Sequence, residues 1–458
     1  MEKYLGNKTV LLPLIEEFIS QRVPAARSIS DLFAGTTNVS RHFRRAGFDV
    51  ATGDLNRFSY ALGRAYLTHT TSPAFAGIDT SCNPADIERL RFAAEQISRR
   101  AGRASNWAEI EPLARAIAVL QAAGRSNTRR GIIFEHFTRE GRRSHFVSLR
   151  GTPGRRNYFS KENALILDGL LETLRRWRTE EKISSSELFL LLASVIEEVV
   201  ITANVSGTFH DFSRDRLWPN ANQVFTLRMP PLVLAGGRAE IVNADALQAA
   251  TAMASHDICY IDPPYNFRQY GAYYHLLNFV AAYPFLEEPQ AYANDLAFVR
   301  GQNRKDDHTS SFCFKDDFIG SLRTLIERVP SEHVVLSYYG GRNHWNHWSN
   351  TETPTDRGLR ELSALFRDKG LFDACEVVPV LSVRQNYQSR VGETKKLVDE
   401  YLLMGSRTKV PGRRRVAIPA LQANKSIGIA QHFGHFVSRT KEGRAGGGRS
   451  DLVAVAVG

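Results

Sequence analysis

The chain has 458 residues, 43% hydrophobic and 23% charged, with a net charge of +11. That composition is ordinary for a globular protein of two or three domains and excludes a disordered or collagen-like chain; no run approaches the ~20 apolar residues of a membrane-spanning helix, and the N-terminus lacks the apolar core of a signal peptide. The four cysteines, Cys82, Cys259, Cys313 and Cys375, are widely spaced, which argues against a zinc site or disulfide framework and fits a reducing cytoplasm.

Residues 1–20 have the apolar spacing of an amphipathic helix behind a Gly-Asn-Lys turn. A short strand (about 28–33), a glycine-containing turn, a helix (about 39–46) and a second strand (about 48–53) ending at Asp54 follow. This β–turn–α–β unit opens a doubly wound sheet. Residues 57–72 read as helix. From 73 to 160 the chain is Arg-rich and broken by Gly, Ser and Pro, with one helix expected near 107–123. Two long periodic segments, 161–178 and 185–203, read as a helical hairpin. Strands return at 239–243, 258–261 and 333–338. The fold class is therefore α/β: a Rossmann-like, mostly parallel sheet with helices on both faces and a large helical or irregular insertion. Residues 1–60 and 236–405 form a discontinuous catalytic domain, 61–235 the insertion, and 406–458 a basic C-terminal tail.

The positive charge is concentrated. Residues 99–156 hold 13 Arg, no Lys and 4 Glu, a net +9. Residues 406–458 carry a net +8, so the remainder carries −6. Such blocks are the electrostatic footprint of a nucleic-acid binder, although a solvated basic loop and a disordered tail would look the same. Arginine, unlike lysine, can take guanine bidentately. The candidates are Arg125, Arg129, Arg130, Arg142, Arg143, Arg155 and Arg156, most of them expected on phosphates. The tail holds Arg413-Arg414-Arg415 and Gly446-Gly447-Gly448, and is expected to be flexible.

The sharpest motif is Asp262-Pro263-Pro264-Tyr265, just past the apolar strand 258–261. The prolines end the strand and fix a rigid turn at its carboxyl end, where ligands sit in open α/β sheets. The turn offers a carboxylate, a carbonyl and an aromatic ring. Those groups suit an amino group on a flat heteroaromatic ring: two acceptors for its two protons and a face to stack on. Near the N-terminus, Gly35 follows the first strand directly, and Asp54 lies nineteen residues on, where an acid can bond ribose hydroxyls. The three-glycine nicotinamide fingerprint is absent, so hydride transfer is not supported.

These blocks resemble the Dam-type, alpha-group adenine-specific DNA methyltransferases of restriction-modification systems. Tyr4-Leu5-Gly6-Asn7-Lys8 is similar to the family's N-terminal block, whose lysine meets the cofactor carboxylate. Asp31–Val39 resembles its Phe-x-Gly-x-Gly block, Gly53-Asp54 its ribose-binding acid, and Asp245-Ala246 its adenine-contacting block. The resemblance implies S-adenosylmethionine as cofactor, held by Tyr4, Lys8, Asp31, Phe33, Gly35, Thr36, Asp54, Asp245 and Ala246. It implies Asp262, Pro263, Pro264 and Tyr265 as the catalytic residues. Duplex DNA would be the partner, with the target base flipped out, and a cognate restriction endonuclease a functional partner. A cytoplasmic monomer with no metal is expected. Aspartate as the first motif residue favours adenine over cytosine. Thr37 stands where the family usually has a second glycine. If that position requires a positive φ, threonine is strained there, so a catalytically impaired DNA-binding relative stays an alternative, as does an RNA adenine methyltransferase. Tyr273-Tyr274-His275 is expected to shape the base pocket or simply to pack. His344-x-x-His347 has metal-ligand spacing but no adjacent acidic or Cys partner.

Overall fold

The computed structural model describes residues 4–100, 106–341, 343–345, 357–388, 392–410 and 432–438. Its centre is a sheet of eight strands: β1 (Ser28–Asp31), β2 (Asp49–Asp54), β3 (Ala239–Asn243), β4 (Ile258–Ile261), β5 (His333–Tyr339), β6 (Ala374–Gln388), β7 (Gly392–Ser406) and β8 (His435–Ser438). The order across the sheet is β6-β7-β5-β4-β1-β2-β3-β8. The five strands from β5 to β3 run parallel, and β7, β6 and β8 are antiparallel to their neighbours.

Alternation along the strands divides the core. Ile29, Val50, Ile241 and Tyr260 face one hydrophobic cluster, while Ala51, Val242, Cys259 and Ile261 face another. Both faces are thus covered, which is why β4 is apolar throughout and fully buried. Helices Asn38–Arg45 and Arg57–Leu67 cover the first face; Ala246–Ala252, Lys315–Arg328 and Arg357–Phe366 cover the second. The expected strands and the helical hairpin (Lys161–Thr179 and Ser185–Thr202) are present. Helix Ser185–Thr202 opens with a full capping box, Ser184 and Glu187 bonding reciprocally. It packs on Arg57–Leu67, so the inserted stretch shares the core of the sheet.

Three elements depart from the sequence reading. A helix spans Pro84–Arg100 within the stretch read as broken. The long antiparallel pair β6–β7 was not anticipated; Pro379 lies in β6, an edge strand, where a missing N–H removes no ladder bond from a second neighbour. The tail reading also changes: residues 435–438 form β8, which covers the β3 edge, with Phe433 in the core and Arg64 stacked 3.6 Å over Phe436. The Arg413–Arg415 and Gly446–Gly448 runs lie outside the described residues.

Candidate active site

The strand order reverses direction between β1 and β4, which makes a crevice at their carboxyl ends. Four neighbouring parallel strands each deliver one aspartate to that edge. Asp31 ends β1, Asp54 ends β2, Asp245 follows β3 and Asp262 follows β4. A cavity of about 940 Å³ lies above them, at the upper end of the range for small-molecule sites (~300–1,000 Å³). Every residue proposed from the sequence for the cofactor or for catalysis lines this one cavity.

The glycine turn is shaped around an aromatic lid. Gly35 has φ +49°, and a Cβ there would meet the Tyr4 ring at 2.7 Å. Tyr4 in turn stacks on Tyr274 at 4.7 Å. Asp54 holds the turn: its Oδ2 accepts from the Gly35 amide (2.8 Å) and its Oδ1 from the Asn56 amide (2.8 Å). Burial raises the Asp54 carboxyl above its ordinary range against those amides. Asp245 caps the following helix through the Leu247 amide (2.9 Å). Ser40 donates to Asp31 Oδ2 (3.1 Å) and the Phe33 amide also favours the ionised form of Asp31, while its Oδ1 is buried with no hydrogen-bond partner among the described residues. Burial pushes this carboxyl up to about 7.

Thr37 adopts the left-handed conformation, φ 61° and ψ 18°, and is fully buried. The position therefore does require the positive φ that glycine takes freely. The turn is held by the Thr37 amide bonded to Ala34 (2.6 Å) and the hydroxyl donating to the Thr36 carbonyl (2.7 Å). Left-handed backbone costs an L-residue roughly 1–2 kcal/mol. Thr37→Gly is accordingly expected to be at least as stable as the parent in urea unfolding. Thr37→Val, which keeps the branch but loses the hydroxyl, should be less stable by about 1 kcal/mol.

At the catalytic turn, Lys8 bridges two carboxylates. Its Nζ lies 3.3 Å from Asp262 Oδ1 and 2.9 Å from Glu400 Oε2, and the three side chains are only 6%, 14% and 12% exposed. Burial alone would lower the ammonium, but Asp262 and Glu400 outweigh it and raise its pKa. Burial raises the Asp262 carboxyl, with Lys8 pulling it back. The Tyr265 hydroxyl is fastened to Asp262 Oδ1 and the Ser337 carbonyl, and its ring sits edge-on to Tyr338 at 5.6 Å. The hydroxyl contact was not part of the stacking expectation. Glu400, Arg268, Tyr270 and Ser206–Thr208 also line the cavity and were missed from the sequence.

The aromatic helix divides by role. Tyr273 lines the cavity, whereas Tyr274 is buried under Tyr4. His275 is buried, bonds the Ala272 and Arg300 carbonyls, and is driven down to about 3 by burial. His344 Nε2 meets the Phe312 carbonyl (3.0 Å); His347 lies outside the described residues.

Among the candidate arginines, Arg129, Arg130, Arg142, Arg143 and Arg155 are exposed. Arg125 is 44% exposed and lies 3.8 Å from Asp86. Arg156 is a correction. It is buried, its guanidinium spent on the carbonyls of Val299 (3.0 Å), Phe298 (2.9 Å) and Arg143 (3.3 Å). It ties the insertion to the 298–301 turn, and its burial takes it off the surface that DNA could reach. Arg142, Arg143 and Arg155 flank a short hairpin, His145–Val147 with Pro153–Arg155, where Val147 and Leu149 are exposed.

A mostly parallel α/β sheet with this cavity at its switch point is the architecture of a Rossmann-like methyltransferase. The family model for the D12 class N6 adenine-specific DNA methyltransferases matches residues 4–101 and 127–303. The chain belongs to that family, and is an adenine-specific DNA methyltransferase. Its relatives include the type II methyltransferase M.NlaIII of Neisseria lactamica, 26% identical over 340 residues, covering 73% of this chain and 82% of the relative. M.FokI of Planomicrobium okeanokoites is 26% identical over 340 residues, but this stretch spans only 44% of that larger protein. The modification methylase LlaI of Lactococcus lactis subsp. lactis is 27% identical over 401 residues, 86% of this chain and 53% of the relative.

Proposed function

We propose that the chain uses S-adenosylmethionine to methylate the exocyclic amino group of adenine in duplex DNA, as the modification partner of a restriction endonuclease in the cytoplasm. The observation that carries this is the cavity itself, with cofactor-type groups of β1–β3 and the Asp262 turn of β4 facing one space. The donor end fits the residues present. The Asp31 Oδ1, without a partner among the described residues, suits an ammonium, and the Tyr4 ring packed against Gly35 walls the turn beside it. S-adenosylmethionine supplies an electrophilic sulfonium methyl; no metal or covalent enzyme intermediate is needed.

The chain's own residues then hold the base. Asp262 and the Pro263 carbonyl each accept a hydrogen bond from the amino group, which frees the nitrogen lone pair from the ring; as the nitrogen gains the methyl and the sulfonium leaves as a thioether, the nitrogen gives up one proton to water. The work is alignment and electrostatics. Reaching the cavity requires the adenine to leave the duplex, at a few kcal/mol. The exposed arginines and the apolar hairpin tip of the insertion are suited to gripping DNA while it does so. The expected test is expression in a host free of N6-methyladenine, followed by modification-sensitive sequencing. One recurrent methylated motif, with resistance to an endonuclease cutting that motif, supports the assignment; unmodified adenine throughout would remove it.

Asp31 gives a pH signature. A carboxyl raised to about 7 is protonated below that pH, and must ionise to pair with a cation. Cofactor affinity should therefore rise with pH through about 7, with proton release on binding. Calorimetry in buffers of different ionisation enthalpy checks this. Asp31→Asn should abolish the proton release.

A further inference from the structure

We propose that Arg268 is a positioning residue that grips the DNA phosphate beside the extrahelical adenine. Among the described residues, Lys8 and Arg268 are the two cations that line the cavity. Lys8 is consumed by Asp262 and Glu400. Arg268 is half-buried, and its guanidinium makes no ion pair or hydrogen bond among the described residues. Its guanidinium carbon lies over the Tyr273 ring, 5.9 Å from the ring centroid. A ring face contact leaves the N–H fork free for a bidentate anion.

Arg268 shares the cavity with five carboxylates and pairs with none of them among the described residues. Arg268 faces the insertion. Tyr273 stacks on His210 at 4.7 Å, and His210 is driven down by burial and then by Arg300 and Arg268. That side of the cavity is lined by Ser206–Thr208, next to the Phe209 amide bonded to the Tyr273 carbonyl (2.7 Å). It is the side from which a nucleotide held by the insertion would enter. The Arg268 backbone is fixed at both of its polar groups: its amide donates to Asn266 Oδ1 (3.1 Å), and its carbonyl accepts from the Cys313 thiol (3.2 Å). A flipped nucleotide carries a phosphate on each side of its sugar. With its base on Asp262, six residues upstream of Arg268, one of those phosphates comes to the cavity mouth.

This rests on the reading that adenine enters the cavity out of the duplex. Arg268→Ala and Arg268→Lys would be compared with the parent for DNA binding across a salt series, S-adenosylmethionine binding and turnover. Arg268→Ala should weaken DNA binding about tenfold and reduce the salt slope by about 0.9, the loss of one phosphate contact. Its cofactor affinity should stay within about twofold of the parent, which also reports a folded protein. Arg268→Lys should keep the slope and recover part of the affinity. An unchanged slope with unchanged affinity overturns the proposal. So does an unchanged slope with weakened cofactor binding, which would place Arg268 on the cofactor carboxylate. Failure of the underlying reading is seen separately, as a parent protein that never methylates adenine.

Discussion

Asp262→Ala is expected to lower methyl transfer about 10²–10³-fold, the usual cost of deleting one transition-state hydrogen-bond partner in a closed site, while DNA and cofactor binding stay near the parent values. The amino nitrogen becomes more positive as it attacks, and the carboxylate is the group that answers that charge. Folding should survive, because Lys8 keeps Glu400 at 2.9 Å when Asp262 is removed. Single-turnover kinetics measured beside binding separate the two effects. Retained turnover would mean that the acceptor role lies elsewhere. The pH dependence follows from the same group. Burial raises the Asp262 carboxyl, and only its ionised form accepts a proton from adenine. Activity should therefore be present at higher pH and be lost as pH falls through a pKa above the ordinary carboxylate range.

Lys8→Met should destabilise the fold by about 3–5 kcal/mol, because it leaves two buried carboxylates facing each other without their cation. The side chains concerned are all under 15% exposed, so solvent screens them little. Adding Glu400→Gln removes one of the stranded charges. The double variant is expected to be more stable than Lys8→Met alone, a coupling that urea unfolding of the four proteins in the cycle measures. Additive losses would show that the bridge is not energetically real. Lys8→Met should also move the acid limb of activity upward, since Lys8 is the largest influence holding the Asp262 carboxyl down.

Much of this site was legible because its residues sit next to local signals. Asp31, Asp54, Asp245 and Asp262 each close or follow an apolar strand, so strand ends announced them. Glu400 had no such signal. It lies in β7, a strand interrupted by Lys395, Lys396 and Asp399, and it meets Lys8 only through the sheet order. Thr37 was flagged for its side chain, yet only the backbone angle shows that the turn imposes positive φ on whatever residue is there. Arg156 was misread because a run of arginines carries charge but no burial. Its neighbour Arg155 is exposed, while Arg156 turns inward to three carbonyls. Arg268 stood in plain view after the motif, and nothing in the sequence separated an unpaired guanidinium from a paired one.

The central claim is that this cavity presents the adenine amino group to a sulfonium methyl. Incubating the full chain with S-adenosylmethionine and mixed-sequence duplex DNA, then digesting to nucleosides for mass spectrometry, tests it most directly. The expected product is N6-methyladenosine as its deoxynucleoside, formed by the parent and reduced about 10²–10³-fold by Asp262→Ala. A folded, DNA-binding parent that yields methylated cytosine, or no methylated base at all, would contradict it.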